Sequence, residues 1–257
     1  VKSNHNSQPG AVPAGGSRRN FLKASAAIAS VFVAPGVMLY QTSIARSPDQ
    51  AVDSTVRWGM LIDTNAMTEA DVDKCVSACQ REHGWKSTGK PTDTQWIRKL
   101  DLLDLETGYK KSLPMMCQHC EDPPCVDVCP TGASYKRADG IVLVNKHTCI
   151  GCRYCMLACP YKARSFIHEN LTDQLAVAPR GKGTVESCTL CVHRIDRDGV
   201  NAVPACAEAV NSANRKPMVF GDLNDPNSEI SRRLAKLGAK KLRADLGLNP
   251  GIRYQGL

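Results

Sequence analysis

The chain has 257 residues, thirteen cysteines, 5% aromatic residues and a formal net charge of +8. That length holds one large or two small domains, and so many cysteines exceed what an ordinary apolar core uses, so cysteine chemistry dominates. The charge does not mark a nucleic-acid binder: four of the 33 basic residues stand in the first 45, which hold no acid, leaving 29 basic against 25 acidic residues. No basic run is interleaved with aromatics.

In chain order, residues 1–16 are rich in Gly, Ser, Asn and Pro and read as unstructured. "SRRNFLK" (17–23), the apolar stretch Ala24 to Tyr40 and the small-x-small site "SIA" (43–45) then predict a twin-arginine export signal over residues 1–45. Cleavage after Ala45 is expected, with retention as an anchor the alternative, since the apolar stretch approaches the roughly 20 residues that span a bilayer. Export in a folded state suits a cysteine-rich chain. Its cysteines can be loaded in the reducing cytoplasm before they meet an oxidising compartment that favours disulfides.

"WGMLID" (58–63) reads as a strand, and residues 68–82, with Cys75 and Cys79, as a helix. Residues 86–94 form a polar loop and "WIRKLDLLDL" (96–105) a strand. "GIVLVN" (140–145) is a short strand after the Asp139–Gly140 turn. The charged stretch "SEISRRLAKLGAKKLRADLG" predicts a solvated helix within the tail, 223–257.

The cysteines fall into repeats. Cys117, Cys120, Cys125 and Cys129 are spaced C-x2-C-x4-C-x3-C before Pro130, and Cys149, Cys152, Cys155 and Cys159 are spaced C-x2-C-x2-C-x3-C before Pro160. Cys188, Cys191 and Cys206 form a third set whose fourth place is Val210. In such runs three cysteines wrap one cubane and the fourth, ahead of the proline, ligates the neighbouring cluster. One [4Fe–4S] cluster is therefore expected on Cys117, Cys120, Cys125 and Cys159, and another on Cys149, Cys152, Cys155 and Cys129. Structural zinc would use two C-x2-4-C pairs rather than a tight triplet, and a disulfide scaffold needs no repeated triplets. "CTLC" lacks both the βαβ context of a thioredoxin motif and the following His of a haem site, where Val192 stands. His119 is expected to pack or hydrogen-bond near cluster sulfur, and His83, His147, His168 and His193 to be surface or supporting groups.

The segments "WGMLID", "LPMMCQHCEDPPCVDVCPTGASYKRADGIVLVNKHTCIGCRYCMLACPYKAR", "VESCTLCVHRIDRDG" and "PMVFGDLNDPNSEIS" resemble the four-cluster ferredoxin subunits of membrane-bound respiratory oxidoreductases, such as the electron-transfer subunits of polysulfide, dimethyl sulfoxide and nitrite reductases. The resemblance spans most of residues 58–231. It implies an α+β fold of two interleaved, tandem ferredoxin-like units, with lobe one at 111–165 and lobe two from 56–85 plus 183–222, within a body of 46–257.

In that family the first cysteine motif crosses with the fourth. By resemblance, Cys79 completes a third cluster with Cys188, Cys191 and Cys206. The fourth cluster would be lost, since Met67 and Val210 stand where cysteines are due, and Cys75 would be left without a cluster. Three [4Fe–4S] clusters thus account for twelve of the thirteen cysteines. In better-known relatives the lost cluster faces a molybdenum subunit, so no such subunit is expected to dock there. The pattern is most similar to the periplasmic iron–sulfur subunit (DsrO type) of the Dsr transmembrane complex. It implies an NrfD-like quinone-interacting membrane subunit and a multihaem cytochrome c or other redox subunit as partners, membrane association through the complex, and no catalytic site of its own. The rival readings are the electron-transfer subunit of a molybdopterin reductase of tetrathionate or polysulfide type and a freely diffusing periplasmic ferredoxin.

Overall fold

The computed structural model describes residues 52–172 and 174–257, all within one compact unit, Ser43–Leu257. The expected export signal lies outside the described residues. The fold is mixed α and β, with strands of two to seven residues among the described residues.

The first strand, β1 (Trp58–Asp63), is almost wholly buried, as the apolar run predicts. Helix α1 (Glu69–His83) follows it. Thr68 and Asp71 form a reciprocal capping box at its start, and Gly84, at φ 69°, closes its end in the left-handed region. Val72, Cys75 and Cys79 share its buried face because residues three and four apart stack on one side of a helix. The two cysteines are thus presented inward one turn apart.

The hairpin of β2 (Ile97–Leu103) and β3 (Lys110–Met116) delivers Cys117 at its exit. Short helix α2 (Pro124–Asp127) carries Cys125. Strands β4 (Ser134–Lys136) and β5 (Val142–Val144) pair antiparallel, and α3 (Tyr154–Ala158) carries Cys155 and ends at Cys159. Strands β6 (Ser165–Phe166) and β7 (Val185–Glu186) pair just ahead of Cys188. Helices α4 (Val192–Asp198) and α5 (Ala205–Val210) follow, with Cys191 at the start of the one and Cys206 inside the other.

Strand β8 (Met218–Asp222) lies antiparallel to β1, and β9 (Ile252–Gln255) lies parallel to β1 on its other side. The expected tail helix is shorter than the charged stretch: α6 (Glu229–Leu237) ends where Gly238 turns left-handed, and only a 3-10 turn, Ala244–Leu246, follows. Among the described residues no helix is long and apolar enough to cross a membrane.

Candidate iron–sulfur sites

All thirteen cysteines are free thiols. Among the described residues no three His, Cys, Asp or Glu side chains converge as the ligands of a single metal ion do. Most of the thiols nevertheless gather in groups close enough to feel each other's charge.

In the first group, Cys117, Cys120, Cys125 and Cys159 are all buried. Burial pushes the Cys120 thiol up to about 12, and the charges of Cys125 and Cys159 add to it. Cys117 is raised in the same way, by burial first and then by Cys125, with Cys159 a smaller contributor. The N–H of Ala163 donates to Cys159 Sγ at 3.5 Å. His119 is buried in the loop between Cys117 and Cys120, and its Nδ1 accepts the N–H of Val142 at 3.1 Å. Burial lowers its pKa to about 3, so the ring is neutral and ties the loop to β5. Its ring bond goes to backbone and not to sulfur, and Nε2 has no partner among the described residues.

In the second group, Cys129, Cys149, Cys152 and Cys155 line one small cavity with Ala133, Val144, Ile150 and Val185. Ser134 N–H donates to Cys129 Sγ at 3.3 Å and Val185 N–H to Cys149 Sγ at 3.5 Å. Cys152 is the one exposed cysteine among the thirteen. Gly151 has φ 71°, and a Cβ there would stand 2.1 Å from the Gly183 carbonyl oxygen. Only glycine lets this loop close on its neighbour.

In the third group, Cys79 comes from α1, Cys188 and Cys191 from the loop before α4, and Cys206 from α5; all four are buried. Burial raises the Cys79 thiol, and the charges of Cys188 and then Cys191 raise it further. Its Sγ accepts the indole N–H of Trp85 at 3.3 Å. Leu190 N–H donates to Cys188 Sγ and Ala205 N–H to Cys191 Sγ, both at 3.4 Å. His83 Nε2 lies 3.4 Å from Cys191 Sγ, and its ring packs on Trp96 with centroids 4.4 Å apart. His83 is thus a buried partner of the site. His193 is half-buried against Glu82 at 2.7 Å, and His147 and His168 are exposed.

Cys75 is wholly buried and borders the third group, its charge acting on Cys206 and Cys79. Its Sγ contacts the Cys206 carbonyl oxygen at 3.6 Å and Met218 Sδ at 3.5 Å. Burial, followed by the Asp71 carboxylate, pushes its thiol up to about 12. Val210 is buried in the same apolar core and Met67 packs against it. Asn211, in the place of the proline that follows the other fourth positions, donates its side-chain amide to Met218 O at 2.7 Å and accepts Met218 N–H at 3.3 Å. Neither Asn211 nor Met218 carries a sequence signal for this pairing, since they meet only when α5 docks on β8.

The donor set suits iron–sulfur clusters: free thiols gathered from the cysteine runs, most of them buried, with several sulfurs already accepting N–H groups. Residues 109–222 match the model of the 4Fe–4S dicluster domain family. The chain is 39% identical to the Hdr-like menaquinol oxidoreductase iron–sulfur subunit 1 of Archaeoglobus fulgidus, over 94% of this chain and 98% of that protein. The chain belongs to the ferredoxin-like iron–sulfur subunit family of respiratory oxidoreductases. Within this family, NrfC of Escherichia coli K12 is 34% identical over 92% of this chain and 93% of its own length. A tetrathionate reductase component of Salmonella typhimurium is 40% identical, over 56% of this chain and 52% of its own length.

Proposed function

We propose that this protein is an exported electron wire with three [4Fe–4S] clusters, the iron–sulfur subunit of a membrane-bound respiratory complex active in sulfur metabolism. Bound clusters supply one-electron redox chemistry. The chain's own residues hold them, shield them from water and set their potentials through burial, charge and N–H groups on sulfur. Cys117, Cys120, Cys125 and Cys159 hold one, Cys149, Cys152, Cys155 and Cys129 the second, and Cys188, Cys191, Cys206 and Cys79 the third. Lobe one (111–165) carries the first two and lobe two (56–85 with 183–222) the third, as interleaved ferredoxin-like units. Cys75, packed on Met218, holds none.

The observation that carries this reading is the continuity of the three groups. The charge of Cys117 acts on Cys188, and that of Cys155 on Cys125. The third group therefore neighbours the first, and the first neighbours the second, which leaves a chain of steps from buried thiols to the exposed Cys152. The full-length similarity to a menaquinol oxidoreductase subunit supports a quinone-interacting, NrfD-like membrane subunit at one end. A multihaem cytochrome c or another redox subunit would serve the other. Residues 1–45 then act as the twin-arginine signal, and the protein works on the periplasmic side, held at the membrane by its partners or by a retained signal helix.

A second reading, the electron-transfer subunit of a molybdopterin reductase, draws on the tetrathionate reductase similarity, which covers about half of each chain. Purification of the intact complex from membranes decides between them. A haem-containing complex with a polytopic membrane subunit supports the first reading. A molybdopterin subunit supports the second, and an isolated periplasmic monomer contradicts both.

A further inference from the structure

Arg164 is 5% exposed, and neither Nη1 nor Nη2 has a well-aligned hydrogen-bond partner, although sulfurs lie within reach. The comparison within the molecule is Arg180, also buried, whose guanidinium forks onto the Glu186 carboxylate at 2.6 and 3.0 Å. A buried guanidinium without a carboxylate is strongly disfavoured unless another negative group takes that place. The negative groups around Arg164 are sulfurs. Its side chain reaches Cys125 of one group and Cys155 of the other, and Cys117 lies close by.

Those sulfurs belong to two different sites. Cys117 and Cys125 lie in the first group and Cys155 in the second. The positive charge of Arg164 also acts on Cys120 of the first. It is not among the main charges that act on Cys79, Cys188, Cys191 or Cys206. Lys146 offers a second cation near Cys149, but its ammonium is engaged, donating to the Val185 carbonyl at 2.6 Å.

We propose that Arg164 is an electrostatic bridge shared by the first and second sites, a positioning residue whose guanidinium favours the electron on either of them. The inference rests on the cluster assignment above. With four thiolates, each oxidised cubane site carries a net charge of about −2 and gains one more negative unit when it accepts an electron. Transfer between the two sites oxidises one and reduces the other, so the total charge facing Arg164 is unchanged. A cation that faces both therefore makes each easier to reduce while leaving the step between them close to level. A guanidinium suits this place because it keeps its charge under burial and presents several N–H groups in a fixed plane.

The test is an EPR-monitored redox titration of the full chain, purified anaerobically, with iron and sulfide content measured on the same samples. A Cys79→Ala variant identifies the signal of the third site by its loss. Arg164→Met and Arg164→Gln are expected to keep their iron while two of the three midpoint potentials move negative and the third stays in place. Arg164→Lys is expected to bring both back towards the wild-type values. If Arg164→Met loses iron, Arg164→Gln carries the comparison. Unchanged potentials, an equal shift of all three, or an Arg164→Lys chain no different from Arg164→Met would overturn the proposal. Wild-type protein with too little iron for three clusters would instead refute the cluster assignment, before any variant is compared.

Discussion

Cys75 and Cys79 lie four residues apart on the same face of α1 and both act on the Cys206 thiol, yet their direct contacts differ. Cys79 accepts the Trp85 N–H and feels Cys188 and Cys191, whereas Cys75 sits against Met218. The difference predicts unlike outcomes for one substitution. Cys79→Ala should remove about a third of the iron, following from four ligands per cubane. Cys75→Ala should leave the iron intact and cost about 1 kcal/mol of stability, the usual scale for a small buried truncation. Equal iron loss in both variants would undo the assignment. Glu82 gives a second residue-scale prediction. Its carboxyl is held at about 2, first by hydrogen bonds from Arg194, against an ordinary 4.5. A carboxyl depressed in the folded state stabilises the protein above its unfolded pKa, and that contribution is lost as pH falls from 4.5 towards about 2. Glu82→Gln should therefore lower stability at neutral pH by about 1 kcal/mol, discounted for partial exposure. The gap to wild type should close in denaturant titrations towards pH 2–3; a gap independent of pH would contradict it.

At the scale of elements, the chain's last strand matters more than its position suggests. Strand β9 pairs with β1, and Tyr254 is wholly buried, its hydroxyl donating to Pro114 O at 3.0 Å. Tyr254→Ala should cost about 3–5 kcal/mol, as large aromatic truncations in cores do, readable as a lowered unfolding midpoint. Gly151→Ala should likewise disturb the Cys149–Cys155 loop, because its Cβ would overlap the Gly183 carbonyl. A selective loss of the second site's EPR signal would report this, and a full signal would argue against the close approach.

Legibility in the sequence divides at this same scale. The strand Trp58–Asp63 and the helix carrying Cys75 and Cys79 are readable because apolar periodicity and caps are local. Strands β3 and β9 are not, since KKSLPMM has a proline and mixed polarity, and IRYQ becomes a strand only by lying beside β1. The tail helix reads too long because charge pattern alone hides the stop at Gly238. The cysteine runs announce cluster chemistry by spacing, whereas Arg164 meets Cys117 and Cys125 only through tertiary packing, and Trp85 reaches Cys79 only because Gly84 turns the chain back.

For the whole molecule, the arrangement describes a shortened wire. On the proposed assignment three groups of four thiols follow one another, and Cys75, Met218, Val210 and the Asn211–Met218 pairing stand where the family's fourth cluster is expected. The number of clusters is directly measurable. Iron and acid-labile sulfide measured on anaerobically prepared full-length protein should each reach about twelve per chain, following from three cubane sites. About sixteen would show a fourth cluster, and about eight would show that Cys79, Cys188, Cys191 and Cys206 hold none.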